Sequence, residues 1–522
     1  MFLLDDGALV LSPSDLTQAA ACEFALVRAL DARLGRSEPV RLEADAMLER
    51  VAHLGAVHEQ QVLAGFGPGV VQIARPSWEQ ATSRAALVDV QERTLAALTA
   101  GVPVVYQAGF FDGTFSGWAD FLVRGDDGRY AVVDTKLARS AKTTALVQLA
   151  AYADQLERAG IPTAGEVSLV LGNGTRSDHR LADLLPVYRD RRARLEALLA
   201  ERRADESPLL WRDERYSACG TCGVCAPEVA LHRDVLLVAG MRRTQRAHLA
   251  AAGIETIDEL AASSTPVPGL AGATLDRLRL QARLQVGAGG ATRETPDGEP
   301  LAFSVVDAAA IAALPAPSPG DIFFDFEGDP LWTDESPGRA EHDMWGLEYL
   351  FGVVEAPEGD AHPRFRPFWA HSRKEEGKAL AAFVEYVQER RRNHPDLHIY
   401  HYAPYERTAL NRLAPRHHVA EAVIDEWATT GVLVDLYATV RHSLRVGAGS
   451  YSLKKLEPLY MGADQRESDV VNAAESIVAY AEACAERDAG NDAEWDRRIG
   501  EIAEYNEYDC RSTLRPKPMP PS

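Results

Sequence analysis

Apolar residues recur along this chain with two periods, and the switches between them mark its elements. Ser12-Pro13-Ser14-Asp15-Leu16 has the capping serine and early proline of a helix start, leading into a helix that carries Cys22. Residues 41–64 and 82–100 keep helical apolar spacing. Strand-like runs follow at 102–111, 115–124 and 130–135, then a helix over 143–159, a strand at 166–172 and a charged helix over 184–203. This order predicts a mixed α/β core. Helical spacing returns between 231 and 286, and Gly- and Pro-rich residues 287–300 and 314–320 have the composition of linkers. Beyond 303 come the apolar strand around Ile322–Gly328, a strand running into a helix start at 398–406, and a helix around 505–509. The expected domains are 1–230, 231–302 and 303–522.

Composition narrows the class. At 522 residues the chain is long enough for two or three domains with ample cores. The start, Met1-Phe-Leu-Leu-Asp-Asp, has no basic region and no long apolar run, so no signal peptide is expected, and no stretch approaches membrane-spanning length. A soluble cytoplasmic protein with no membrane partner is the expectation. A net charge of −22 argues against a general electrostatic grip on nucleic acid, leaving local basic stretches for phosphates. Arg189-Asp-Arg191-Arg192-Ala-Arg194 and Arg242-Arg243-Thr-Gln-Arg246 are candidates, although a solvated helix face has the same pattern.

The most informative chemistry lies between residues 117 and 152. Asp120 ends Gly117-Trp118-Ala119-Asp120, and Asp134-Thr135-Lys136 follows the strand-like Tyr130-Ala131-Val132-Val133. A lysine two residues after an aspartate on a strand shares its face. Two carboxylates there suit Mg²⁺ or Mn²⁺, and the lysine suits charge developing on a phosphate. Gln148 and Tyr152, four apart, fall on one face of the next helix. In this order and spacing the set resembles the RecB-family nuclease core of the PD-(D/E)xK superfamily. Gly55-Ala56-Val57-His58-Glu59 stands where that family carries its helical Gly…His motif. The resemblance implies that His58, Asp120 and Asp134 bind metal, that Lys136 is catalytic, and that Gln148 and Tyr152 are accessory.

Six cysteines occur, three of them in Cys219-Gly-Thr-Cys222-Gly-Val-Cys225. Thiolates at two-residue gaps hold either zinc or an iron–sulfur cluster, and the spacing alone does not choose. Several RecB-like nucleases carry one cysteine before the nuclease core and three after it, binding a [4Fe–4S] cluster. That likeness implies a cluster on Cys22, Cys219, Cys222 and Cys225, with Zn²⁺ as the alternative. Cys484 and Cys510 are expected to be ordinary thiols.

A second acidic set lies downstream. Asp325 and Glu327 alternate on the strand Ile322-Phe323-Phe324-Asp325-Phe326-Glu327-Gly328, and Tyr505 and Asp509 sit four apart on a helix. They resemble the DEDD exonucleases of the RNase H-like fold whose last motif is Tyr-x-x-x-Asp. That likeness implies Asp325, Glu327 and Asp509 as metal ligands and Tyr505 as the residue positioning water. The family's second motif is Asn-x-x-x-Asp, whereas this chain has Tyr402 and Glu406 there. Glu406 can still bind metal and is carried as a catalytic residue, although its longer arm displaces the carboxylate by about one bond length. Asp435 is another candidate ligand or supporting acid. Between the two sets, Leu249–Leu260 and Pro268-Gly269-Leu270 with the helix after them resemble a helix-hairpin-helix module, which offers backbone N–H groups to a phosphate.

The expected fold is therefore a restriction-endonuclease-like nuclease core, a small helical middle segment and an RNase H-like C-terminal domain. The expected function is metal-dependent hydrolysis of phosphodiester bonds in DNA ends or single strands, with DNA ahead of RNA. No Gly-x-x-x-x-Gly-Lys-[Ser/Thr] loop occurs, so ATP hydrolysis is not expected of these residues. Proteins that pair these two domains are often joined to a superfamily 1 helicase, which implies such a partner in DNA repair or processing. The chain ends soon after Asp509, so a shortened family member or a separate helicase is expected. The alternative is a nucleic-acid-binding or assembly subunit with vestigial nuclease sites and a structural cluster.

Overall fold

The computed structural model describes every residue except 42–44, 78–79, 296–297, 335–344, 357–361, 463, 465–471 and 515–522. The chain divides into two units, Met1–Glu228 and Val229–Ser522. Among the described residues no helix is long and apolar enough to cross a membrane.

The first unit is built on a six-stranded sheet. Its strand order is Val70–Gln72, Val104–Phe111, Ser116–Arg124, Tyr130–Lys136, Glu166–Leu171, Arg176–Arg180. The middle of the sheet is an antiparallel meander, and Tyr130–Lys136 pairs parallel with Glu166–Leu171 across the helix Thr143–Arg158. Alternation sends Val132 into the main core, which also holds Val90, Leu149 and Leu156 of the helices Arg84–Thr99 and Thr143–Arg158. Val133 faces the other way and packs with Val62, Leu63 and Phe66 at the end of the helix Ala46–Gly65. The sheet is thus covered on both faces. The edge strands Val70–Gln72 and Arg176–Arg180 were not legible in sequence, because they are short and largely polar or exposed.

One expectation changes here. Cys22 does not lie inside a helix. It takes an extended conformation (φ −163°) between the helices Pro13–Ala21 and Glu23–Arg33, capping the second by accepting from the Ala25 amide.

The second unit opens with the helices Arg243–Ala251, Ile257–Ala262 and Gly272–Gln285, around a core of Leu249, Ile257, Leu260, Leu275 and Leu278. The turn before the third helix needs its glycine. Gly269 has φ +82°, and a Cβ there would meet the His248 ring at 2.3 Å. Residues 287–300 are not simply a linker. Ala291–Glu294 and Pro300–Val305 form an antiparallel hairpin that Leu444–Val446 extends to three strands. Backbone pairing there requires no apolar side chains, and Ala291–Glu294 is exposed throughout.

The larger sheet has the order Arg364–Trp369, Trp345–Glu355, Ile322–Thr333, Ile399–His401, Leu433–Asp435. Its first three strands pair antiparallel and its last two join in parallel. Phe324 and Phe326 point into a core with Phe383, Leu410 and Trp427. By alternation Asp325 and Glu327 point to the opposite face, which the helices Ala473–Asp488 and Asp492–Leu514 cover. The last helix continues past Asp509 to Leu514.

A buried ion pair ties the N-terminal helices of the first unit to its long helix Leu181–Ala204. Arg202 Nε and Nη2 donate to the Asp31 carboxylate at 2.8 and 2.6 Å, with both side chains buried. Arg36 reaches the same carboxylate only at 3.8 Å. Removing one partner strands the other in a low-dielectric interior. Arg202→Ala is therefore expected to cost this unit about 3–5 kcal/mol in urea unfolding. A loss below about 1 kcal/mol would mean that water or Arg36 replaces the pair.

Candidate functional site

The sheet of the first unit comes apart where its carboxylates lie. Gln107 breaks the ladder between Val104–Phe111 and Ser116–Arg124 with φ +55°, and the ladder with Tyr130–Lys136 ends at Phe121↔Val133. Just beyond that end, Thr135 turns both its amide (2.9 Å) and its hydroxyl (2.8 Å) onto Asp120 Oδ2. Asp120 is thereby fixed as an acceptor beside Asp134.

Asp134 is 1% exposed, and its Oδ1 has no hydrogen-bond partner. Burial, reinforced by the Asp120 charge, pushes its carboxyl well above the usual range. Lys136 donates to Asp134 Oδ2. Burial disfavours the Lys136 ammonium, but Asp134, Asp120 and Glu59 outweigh it and hold its pKa up, so the lysine stays charged. Tyr152 is buried and accepts from Gln148 Nε2 at 3.3 Å. Burial first, then the Asp134 charge, raises its phenol, so it stays neutral. Gly117 makes room for it, since a Cβ there would stand 2.8 Å from Tyr152 Cε1. The five residues from Asp120 to Tyr152 singled out in the sequence therefore form one neighbourhood.

His58 is buried on the helix Ala46–Gly65, with Nε2 3.2 Å from the Val170 carbonyl. Among the described residues, two sets of three or more His, Cys, Asp or Glu bring all their ligand atoms within 4.8 Å of one another, and His58 is in neither. Its neighbour Glu59 accepts from the Tyr106 hydroxyl (2.9 Å) and from Gln107, and its charge is felt at Lys136. Sequence reasoning passed over Glu59, although it directly follows the histidine.

The first of the two close sets is Cys22, Cys219, Cys222 and Cys225. The backbone wraps them in N–H groups. Ala25 and Cys219 amides point at Cys22 Sγ, each at 3.4 Å, and Thr221 and Cys222 amides point at Cys219 Sγ at 3.5 and 3.3 Å. Such donors stabilise thiolate. The Cys225 contact and these amides lower Cys22 to about 5, while Cys22 and burial push Cys225 up. Cys484 and Cys510 stand apart, half-buried and buried.

The second set is Asp325, Glu327 and Asp509. A bulge falls between Glu327 and Gly328, and a Cβ at Gly328 would stand 2.0 Å from Glu348 Oε2. Asn506, one residue after Tyr505 and fully buried, donates to Asp325 Oδ2 at 2.9 Å. Burial raises Glu327 well above the usual range, with Asp325 and Asp509 adding to it. Tyr505 is buried on the same helix, and the Lys454 ammonium lies 5.5 Å from its ring centre. Glu406 stands beside this set rather than within it. Burial raises it to about 8, its hydrogen bond with Asp325 works against that rise, and its Oε2 lies 3.2 Å from His401 Nδ1. Asp435 is spent on scaffolding, accepting from the Ala403 and Tyr437 amides at 3.0 and 2.9 Å.

Four arginines of the basic stretches form internal ion pairs. Arg189 pairs with Asp154 and Glu157, Arg192 with Asp112 and Glu196, Arg194 with Glu23, and Arg246 with Asp234. An arginine run is not by itself a phosphate groove.

Two family models match the chain. The family model of the PD-(D/E)XK nuclease superfamily matches residues 10–227. That of the RNase_H superfamily matches residues 322–516. No curated protein matches the chain. One match spans the opened sheet with Asp120, Asp134 and Lys136, and the other spans Asp325, Glu327 and Asp509, so the chain joins a PD-(D/E)XK nuclease domain to an RNase H-like domain.

Proposed function

We propose that this protein is a metal-dependent nuclease that hydrolyses phosphodiester bonds of DNA, at ends or in single strands, with its principal catalytic centre at Asp120, Asp134 and Lys136. One observation carries the reading. Asp134 Oδ1 is buried without a hydrogen-bond partner beside a second carboxylate, an arrangement that is costly without a cation and suits one. Asp120 and Asp134 would hold Mg²⁺ or Mn²⁺, which supplies Lewis-acid stabilisation of charge on the phosphate. His58 is the additional ligand in this reading, its Nε2–H given to the Val170 carbonyl so that Nδ1 keeps the lone pair.

The chain's own groups account for the remaining work. Lys136 places a fixed positive charge beside the reacting phosphate. Thr135 holds Asp120, and neutral Tyr152, bonded to Gln148, stands near the carboxylates without adding charge. Water oxygen bonds to phosphorus as the ester P–O bond breaks, and the proton leaves to solvent or to the departing oxygen. The RNase H-like domain would add a second cation site on Asp325, Glu327 and Asp509, with Tyr505 positioning water and Glu406 beside it. A helicase in DNA repair or processing is the partner that the domain pairing suggests.

For the cysteines we favour a [4Fe–4S] cluster, from the one-plus-three layout, over zinc. The close approach of the sulfurs is the observation on zinc's side, since tetrahedral Zn–S bonds of 2.3 Å place sulfurs only about 3.8 Å apart.

Cleavage of end-labelled single- and double-stranded DNA and RNA with Mn²⁺ tests the catalytic assignment. Lys136→Ala is expected to lower kcat on the order of 10²–10³-fold while leaving DNA binding within a few-fold. Activity unchanged in Lys136→Ala but lost in Asp325→Ala would move catalysis to the second domain. No cleavage of any substrate by metal-replete protein would favour the binding or assembly subunit.

The cysteine centre has its own test. Anaerobically purified protein is expected to show broad visible absorption and to release iron and acid-labile sulfide. Cys222→Ala should lose all three signals together with thermal stability. A colourless protein holding one zinc per chain would replace the cluster with the alternative.

A further inference from the structure

Glu327 is held by a chain of hydroxyls that the nuclease assignment does not require. Ser476 Oγ donates to Glu327 Oε2 at 2.7 Å, and the Tyr349 hydroxyl lies 2.7 Å from the same Ser476 oxygen. All three side chains are buried, Ser476 and Tyr349 completely. The order of donors follows from counting protons. A metal-binding Glu327 is ionised and can only accept, Ser476 has one proton and gives it to Glu327, so the Tyr349 proton goes to Ser476. The far end is anchored too. The Tyr349 ring stacks on Tyr480 with centres 3.8 Å apart and planes within 9°.

These residues come from separate elements. Tyr349 lies on the strand Trp345–Glu355, next to the strand that carries Glu327. Ser476 and Tyr480 lie four apart on the helix Ala473–Asp488. An isolated glutamate on a strand can swing through several rotamers. One whose oxygen already accepts from a buried hydroxyl is confined to the rotamer that faces Asp325 and Asp509. Glu327 also has most need of this, being buried among like charges.

We propose that Ser476 and Tyr349 are positioning residues that lock the Glu327 carboxylate in its cation-binding orientation, making the helix Ala473–Asp488 a working part of the second site. The proposal rests on the reading of Asp325, Glu327 and Asp509 as a cation site. It adds a requirement that the three acidic residues alone do not express.

The test is Mn²⁺ titration by calorimetry on the full chain carrying Asp134→Ala, which silences the first site. Asp325→Ala added to this parent defines which binding belongs to the second site. Ser476→Ala is expected to weaken that binding on the order of 10–100-fold with the melting temperature held within a few degrees. Tyr349→Phe, which keeps the ring and its stack, is expected to weaken it by a smaller factor, about threefold or more. Should Ser476→Ala fail to fold, Tyr349→Phe decides alone. Unchanged Mn²⁺ affinity in the folded variants overturns the positioning role and leaves the cation site standing. A parent without Asp325-dependent Mn²⁺ binding overturns the cation site and this proposal with it.

Discussion

Carboxylates of like charge, pressed together away from water, are the constraint around which both domains are organised. Ionised Asp134 next to Asp120, or Glu327 next to Asp325 and Asp509, is unfavourable by burial and by mutual repulsion. A fold keeps such clusters only if neighbouring groups offset part of the cost and a ligand offsets the rest. The two domains do so differently. In the first, an ammonium stands inside the cluster, since Lys136 pairs directly with Asp134. In the second, neutral donors carry the load, Asn506 on Asp325 and Ser476 on Glu327. An internal cation offsets part of the repulsion within the cluster itself. Neutral donors leave more of the repulsion for a ligand to offset.

Regular sheet geometry resists this crowding, and in both domains it yields at the same place. Gln107 adopts positive φ opposite the Asp120 segment, and a bulge separates Glu327 from Gly328. A continuous ladder would satisfy every backbone group and leave no amide to spare. Opening it frees the Thr135 amide to hold a carboxylate. Gly117 and Gly328 belong to the same solution, because a side chain at either would overlap Tyr152 or Glu348. Those glycines give up strand stability for close approach.

What could be foreseen from sequence follows the range of the underlying interaction. Periodicity is local, so the strands around Asp120 and Asp134 and the helix carrying Gln148 and Tyr152 were legible to within a few residues. Asp325 and Glu327 share a face for the same reason. Ser476 was not legible, because a serine in the middle of a helix carries no signal until Glu327, 149 residues away, is placed against it. Cys22 was correctly paired with the distant cysteines, yet its position between two helices was missed, since the extended break is imposed by its sulfur's neighbours. The hairpin at Ala291–Glu294 escaped because that strand is exposed throughout and carries no apolar alternation. The arginine runs left two readings open, as charge in sequence does not tell a phosphate contact from an internal ion pair.

The cysteine set fits the same logic at the scale of the first domain. Cys22 and Cys225 are 203 residues apart, and their sulfurs lie 3.4 Å from each other. A covalent or coordinate link across a loop of that length removes unfolded-state entropy worth about 5 kcal/mol by loop-closure arguments. The chain does not leave closure to that link alone. Glu23 accepts from the Ser217 amide and hydroxyl at 3.0 and 2.9 Å, and Arg202 holds Asp31 nearby in sequence. These contacts also hold the two ends together, so part of the closure entropy is lost in forming the protein fold itself. A link through the cysteines would then add mainly resistance to opening at the ends. Between those ends runs the sheet whose broken ladder presents Asp120 and Asp134, and a sheet opened at that edge gains most from being held shut at its boundaries.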